Sequence, residues 1–413
     1  MKKEIYKQLI DVVKLLNSSL DFEKIKKIII QQTKKIFNAE ASSLLFLDKE
    51  KNELYFDVAT GEKGDIVKEI RVPADKGIAG WIIKNNKPLL VKNVKEDKRF
   101  YSGVDKKSNF TTKSIMGAPV YNGNDVFGVI EVLNKKTAGT FSEDELKLLE
   151  VFSDLASLNI RNALWHKNAL EKERYESELR VAEKIQKKLI GKHSIDIKGY
   201  EYMYNYRSCK AVGGDYYDIL QNGENEYFFA IADVSGKGVP TSIIMSALRS
   251  YLKTANHFNL NLVDAINFIN KNIYEDTESS IFITMILGIL NTEKNTFKYV
   301  NAGHVYPILI DKKNNYNKIA SNDIPVGIIK NYKYEIKSID INPEDTLVMV
   351  TDGITEATNE RSEMYEENKL KNDLIRFINY NYKELDKLLF DRVLKYCNYN
   401  PHDDMTLLGF RKK

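Results

Sequence analysis

Cysteine is nearly absent: the 413 residues contain two, Cys209 and Cys397, in unrelated contexts. That excludes a disulfide framework and a cysteine metal site, and it fits a reducing cytoplasm. Long apolar runs are missing as well. Nothing approaches the roughly 20 apolar residues that span a bilayer. The opening MKKEIYKQLIDVVKLL is interrupted by charge where a secretory leader needs a continuous apolar core. A cytoplasmic protein with no membrane partner is expected. Nor does one sign of charge dominate: 62 Lys plus Arg face 58 Asp plus Glu, a net +4 with no long single-sign block. No nucleic-acid partner is expected on that pattern.

What is present is ordinary for a folded chain, with 43% hydrophobic and 29% charged residues, so wholesale disorder is excluded. The length exceeds what one core organises, and at least two domains are expected. In the first half, FEKIKKIIIQQTKKIF (22–37) places Ile25, Ile28, Ile29 and Ile36 at helical spacing. SSLLFLD, NELYFDVATG and EIRVP then predict strands ended by turn residues. GIAGWIIKNNKPLLVKNV predicts a Gly-rich turn, a short helix and a strand, and KSIMGAPV with VFGVIEVLNK predicts a late strand pair. This order resembles a GAF domain, most sharply around Gly77, Gly80, Gly128 and the closing helix. The resemblance implies a small-molecule or light sensor that also dimerises; it names no ligand. Asn134, Lys135, Phe141, Asp144 and Glu145 are similar to a signature of cyclic-nucleotide-binding GAF domains, but the Phe141–Asp144 spacing is one residue short. A salt-bridged, capped helix start is expected there instead.

Ser142 and Glu145 make the capping-box pattern S-x-x-E, and no Gly or Pro follows until after Leu189. Tyr175, Leu179, Ala182, Gln186 and Leu189 have the spacing of a short coiled-coil seam. The expected organisation is therefore a GAF sensor domain (1–163), a helical or coiled-coil linker (164–195) and a second domain (196–413), with a homodimer formed through the GAF domain and linker helices.

The second domain is rich in strands. Tyr200, Tyr202, Tyr204 and Tyr206 alternate at period two, and YFFAIA, FITMILGIL, FKYVNAG, PILI, TLVMVT and TLLGF are further strand candidates. Its acids sit where these strands meet loops. Asp215 follows a Gly-Gly turn, Asp233 ends FFAIA, Asp352 ends LVMVT, and Asp403 and Asp404 precede MTLLGF. Buried acids cost desolvation energy unless paired or metal-bound. Carboxylates without a His or Cys cluster suit Mn²⁺ or Mg²⁺, not zinc.

AVGGDYYD, ADVSGKGVP, YVNAGH, PVG, TDGITEA and DDMTLL, in this order, resemble the SpoIIE/RsbU branch of the metal-dependent (PPM, protein phosphatase 2C-like) protein phosphatases. That resemblance implies an α/β (α+β) fold with a β-sandwich flanked by helices, and two divalent cations, Mn²⁺ preferred and Mg²⁺ possible, hydrolysing phosphoserine or phosphothreonine. Carried over by motif, Asp233 bridges the cations and the Val234 carbonyl coordinates. Asp215, Asp352 and one acid of the DDMT turn complete the set, with Asp403 favoured and Asp404 its alternative. By family analogy the partner is a phosphorylated STAS-domain protein, an anti-anti-sigma factor in a partner-switching pathway. The rival readings are a diguanylate cyclase, for which Tyr216 stands where the second acid belongs; a histidine kinase using His166, which lacks an ATP site; and a catalytically inactive partner-binding scaffold. Asp218 is expected as an exposed turn acid, His304 as a hydrogen-bonded turn residue, and Lys237 and Arg207 as surface charge. Gly191 stands where the linker motif of this family usually has proline.

Overall fold

A computed structural model describes residues 2–123, 125–190, 195–278, 280–320 and 323–413. Its contacts divide into two units, Met1–Tyr175 and Glu176–Lys413. Gly191 lies outside the described residues.

The first unit opens with α1 (Lys2–Asn17) and α2 (Phe22–Ile36), the latter capped by Asp21, whose carboxylate accepts the Lys24 amide. β1 (Ala39–Asp48), β2 (Glu53–Thr60), β3 (Arg71–Pro73), β4 (Leu89–Val91), β5 (Ile115–Asn122) and β6 (Asp125–Lys135) form one antiparallel sheet in the order β3-β2-β1-β6-β5-β4. α3 (Gly64–Lys68), α4 (Gly77–Asn85) and α5 (Gly103–Ser108) lie between strands in the chain. Ile25, Ile29 and Ile30 of α2 pack in one core cluster with Leu44 and Ile130 of the sheet, while Ile28 and Ile36 are half-buried at its edge. A second cluster joins Leu45 and Phe56 to Ile78 and Ile82 of α4. The sheet is thus covered by apolar side chains on both faces, as its period-two strands require.

α6 (Glu143–Leu189) is a single 47-residue helix. Its start is built by the signature residues. The Ser142 amide donates to Glu145 Oε2 at 2.9 Å, the Glu145 amide donates to Ser142 Oγ, and Lys135 pairs with Glu145 at 2.8 Å. Asn134 ties Lys113 and Ser114 amides to the Thr111 carbonyl, and Phe141 is buried. These residues hold the helix in place, which is the structural role expected from the short spacing. Leu149, Phe152, Ala156, Ile160 and Ala163 then pack into the sensor core. The division between the units falls inside α6. At its far end Gln186, a position in the anticipated coiled-coil seam, is buried against its own chain.

The second unit contains β7 (Tyr200–Arg207), β8 (Tyr216–Gln221), β9 (Glu226–Val234), α7 (Val239–His257), α8 (Leu262–Asp276), β10 (Ile283–Asn291), β11 (Thr296–Ala302), β12 (Ile308–Ile310), β13 (Tyr316–Lys318), β14 (Lys337–Asp340), β15 (Thr346–Val350), α9 (Asp352–Thr355), α10 (Glu366–Asn381), α11 (Leu385–Tyr396) and β16 (Met405–Lys412). Two five-stranded antiparallel sheets, β14-β11-β10-β9-β8 and β13-β12-β15-β16-β7, make a sandwich. Phe229 and Phe297 of one sheet meet Phe410 of the other at ring-centroid distances of 4.9 and 5.3 Å. α7 and α8 cover the first sheet, and α10 and α11 cover the second. The tyrosine face of β7 joins the inter-sheet core while Met203 points to the helical layer, so both faces of this strand are used.

Candidate metal centre

Antiparallel pairing brings the strand-end acids together. β8 runs against β9 with Tyr216 opposite Ala232, so Asp215, just before β8, arrives beside Asp233, near the end of β9. β15 runs against β16 with Val350 opposite Leu407, so Asp352, just after β15, arrives beside the Asp403–Asp404 turn. Register alone therefore makes two pairs of acids at sheet ends. The charges of Asp352 and Asp403 also reach Asp233, so the pairs form one cluster.

The cluster is strongly acidic and partly dry. Asp215 is 1% exposed; burial first, then the charges of Asp233 and Asp404, hold its carboxyl well above the usual carboxylate range. Its Oδ2 accepts hydrogen bonds from Thr351 Oγ1 at 2.8 Å and Thr406 Oγ1 at 2.5 Å. Burial, then Asp352 and Asp403, push Asp233 up to about 7. Asp352 is raised by burial, then by Glu356 and Asp403. Acids crowded this way lack the countercharge that keeps carboxylates ionised, and cations supply it.

Asp403 and Asp404 have different surroundings. Asp404 is buried, its Oδ1 accepting the Cys209 amide at 2.8 Å and its Oδ2 the Gly214 amide at 2.7 Å. Both oxygens are thus committed to backbone. Asp403 has a side chain 37% exposed, with Oδ2 2.6 Å from Lys237 Nζ, and its Oδ1 accepts the Asp404 amide. Gly213 is required where it stands, because a Cβ there would overlap the Asp404 carboxylate. Gly353 is equally constrained by the Asp404 carbonyl. The Val234 carbonyl lies beside Gly214, 3.0 Å from where a Cβ would sit, so a side chain there would crowd that oxygen.

Other residues singled out by motif fall into place around this cluster. Cys209 Sγ lies within 4.8 Å of oxygens of Asp403 and Asp404, but burial and Asp404 push its thiol up to about 11, so it is a poor soft-metal ligand near neutral pH. His304 is buried in the NAGH turn, its Nδ1 2.8 Å from Thr284 Oγ1 and its amide donating to Asn301 Oδ1. Burial lowers it to about 4, which keeps it neutral. Ser235 Oγ accepts the Phe282 amide and Thr355 Oγ1 donates to the Asp352 carbonyl, so both have backbone roles.

One expectation is corrected here. Asp218 is no exposed turn acid: it is 3% exposed within β8, accepting from Tyr216 Oη at 2.6 Å and from the Ile219 amide. The helical cover of the sheet buries it, and Tyr216 compensates. Lys237 is exposed, as expected of surface charge, and its ammonium bridges Asp403 and the His402 carbonyl at 2.7 Å. Arg207 is exposed, as expected of surface charge. Thr406 lies in the DDMTLL motif and Gln186 at an anticipated seam position, but neither was singled out as a partner of the turn they contact.

Comparisons with known proteins agree with this division. Residues 223–413 match the family model described as Stage II sporulation protein E (SpoIIE), and residues 21–160 match the GAF domain model. Phosphoserine phosphatase RsbU of Bacillus subtilis is 27% identical over 243 residues, covering 57% of this chain and 70% of that protein. Probable 3',5'-cyclic phosphodiesterase pde-5 of Caenorhabditis elegans is 32% identical over 157 residues, covering 36% of this chain but 21% of that protein. The solved SiaA-PP2C domain of Pseudomonas aeruginosa superposes with a TM-score of 0.54 at 15% identity, covering 59% of this chain and 100% of that chain, a likeness of fold.

Proposed function

From a chain that carries a GAF domain followed by a SpoIIE/PP2C-type phosphatase domain, we propose a sensor-regulated protein phosphatase that hydrolyses phosphoserine or phosphothreonine with two divalent cations, Mn²⁺ preferred over Mg²⁺. The observation that carries this reading is the convergence of Asp215, Asp233, Asp352 and Asp403 at one end of the sandwich, with three of them forced upward in pKa by burial and by neighbouring acids. In this reading Asp215, Asp233, Asp352 and Asp403 would hold the cations, and the Val234 carbonyl would add a neutral ligand. Asp404 is the residue that holds the turn. Bound there, the ions supply Lewis acidity: they neutralise charge on phosphoryl oxygens and make water a stronger nucleophile.

The rest belongs to the chain. Thr351 and Thr406 fix one oxygen of Asp215 and leave the other for the site. Lys237, between Gly236 and Gly238 with their left-handed backbones, holds Asp403 from the solvent side and places a positive charge at the mouth. The substrate we propose is a phosphorylated STAS-type protein acting in partner switching, because RsbU, a phosphoserine phosphatase by name, is 27% identical over 57% of this chain. Purified full-length protein with Mn²⁺ should release phosphate from a phosphoserine STAS protein, and chelation should stop it. If Asp352→Ala keeps its rate within about tenfold of the parent, where loss of a ligand should cost about a hundredfold or more, the site assignment fails.

The sensing half of the proposal rests on a cavity of about 90 Å³ in the first unit. Leu45, Leu54, Phe56, Val72, Ile78 and Tyr101 are among its walls. It is far below the roughly 300–1,000 Å³ of pockets for drug-sized ligands. A compact, mostly apolar ligand suits it better than a cyclic nucleotide. Its polar walls include Lys63, Lys76, Asp105 and Glu131, the last of which burial pushes up to about 7. Ser43 lies opposite it across β1 and β6, and its buried hydroxyl eases that rise slightly.

A raised acid holds its proton in the folded state after the unfolded chain has lost it. Stability from this group is therefore greatest below its ordinary 4.5 and is lost as pH climbs toward about 7. Glu131→Gln should then stabilise the first unit at pH 8 by roughly 1–3 kcal/mol, with little effect at pH 4. Calorimetry at both pH values tests this; destabilisation at pH 8 would mean that the carboxylate is satisfied. We further propose a homodimer through the GAF unit and α6, where Val151, Leu158 and Trp165 are exposed at heptad spacing.

A further inference from the structure

Gln186 lies in the last turn of α6 and is 6% exposed. Its carboxamide takes hold of both backbone groups of Gly213. Nε2 donates to the Gly213 carbonyl at 2.7 Å, and the Gly213 amide donates to Oε1 at 3.0 Å. This is the pairing of a strand ladder made by one side chain. On its other side the same turn is held by Asp404, through the Gly214 amide. The Gly-Gly turn that delivers Asp215 is therefore pinned between a helix and β16. The helix end is itself anchored, because Arg249 Nε of α7 donates to the Leu189 carbonyl at 2.8 Å and Ile190 is buried in the sandwich core.

Neither hydrogen bond can be replaced by water without opening the turn, and a buried peptide left unpaired costs about 1–3 kcal/mol per group. Because one carboxamide makes both bonds, sliding or rotation of the last turn of α6 displaces them together. The turn can then hold Asp215 in place only while the helix end is seated.

We infer that Gln186 is a positioning residue for Asp215, so that the seating of the last turn of α6 sets the cation affinity of the centre. The inference rests on the metal-site reading above and adds a residue outside the ligand set. Partners that orient a ligand from behind typically alter metal affinity by about 10–100-fold when removed.

The test is calorimetric titration of the full chain with Mn²⁺, comparing the parent with Gln186→Leu, which keeps bulk, and Gln186→Glu, which keeps the acceptor and loses the donor. Both variants should bind Mn²⁺ about tenfold or more weakly, with kcat reduced at subsaturating metal and recovered at high metal, and with KM for phosphoprotein unchanged. If the parent binds no Mn²⁺, the metal-site reading falls and this inference with it. If the parent binds and the variants bind equally well, the inference alone falls. Should the variants fail to fold, the parent still decides. Linkage is reciprocal, so Mg²⁺ should slow amide exchange at 213–215 and at 187–190 together. Protection confined to the first segment overturns the coupling.

Discussion

Asp233→Asn should lower phosphoserine hydrolysis by about a thousandfold or more while leaving the fold intact. Asp233 is the acid whose charge environment joins the two strand-end pairs: it is raised by burial and by Asp352 and Asp403, and it shares a hydrogen bond with Asp215. Two divalent cations need about four carboxylates for charge balance, and the bridging position is the one both would use. An amide keeps the shape and removes the charge. The same exchange relieves repulsion in the metal-free protein, so its thermal transition should stay where it is or rise. Active-site residues are commonly retained at a cost to stability. Phosphate release, Mn²⁺ stoichiometry and calorimetry on the same sample separate the effects. Activity within tenfold of the parent would sink the bridging role; lost activity together with a collapsed transition would make Asp233 a folding residue.

The acids at strand ends were legible because of where the apolar runs stop. YFFAIA and TLVMVT each end in an aspartate, and antiparallel register turns those ends toward the starts of β8 and β16. The capping box at Ser142 was legible for a similar local reason, since both partners lie within one turn. Gln186 was not. On a helix it occupies a seam position, and its partner Gly213 is 27 residues away with nothing in either segment to announce the pairing. Lys237 was hidden in another way: a lysine between glycines has the pattern of a solvated loop until the fold sets Asp403 beside it. Asp218 lies one strand step from the turn, and only the depth of β8 beneath its helical cover decides that it is buried. Local chemistry is written in local spacing, whereas burial and long-range hydrogen bonds depend on layers assembled later.

The two acids of the DDMT turn should separate cleanly on substitution. Asp404→Ala removes the acceptor of the Cys209 and Gly214 amides and leaves them unpaired, Gly214 in a buried turn. At about 1–3 kcal/mol for each buried unpaired group, the second unit should lose roughly 2–5 kcal/mol. Its transition should fall by about 4–20 °C, taking about 2–4 °C per kcal/mol for a unit of this size. Asp403→Ala removes a carboxylate whose main partners are a half-exposed ammonium and its neighbour's amide. An exposed pair of this kind contributes about 0–1 kcal/mol, so the melting temperature should barely move. Metal binding and hydrolysis should nevertheless drop by about a hundredfold, because the carboxylate lost is the one with an oxygen held by no backbone group but by the half-exposed ammonium of Lys237. A stable Asp404→Ala with lost metal, beside an Asp403→Ala that still binds Mn²⁺ tightly, would exchange the two roles. It would also require the Cys209 and Gly214 amides to find a new acceptor when the cation arrives, a rearrangement that amide exchange at Gly214 would show directly.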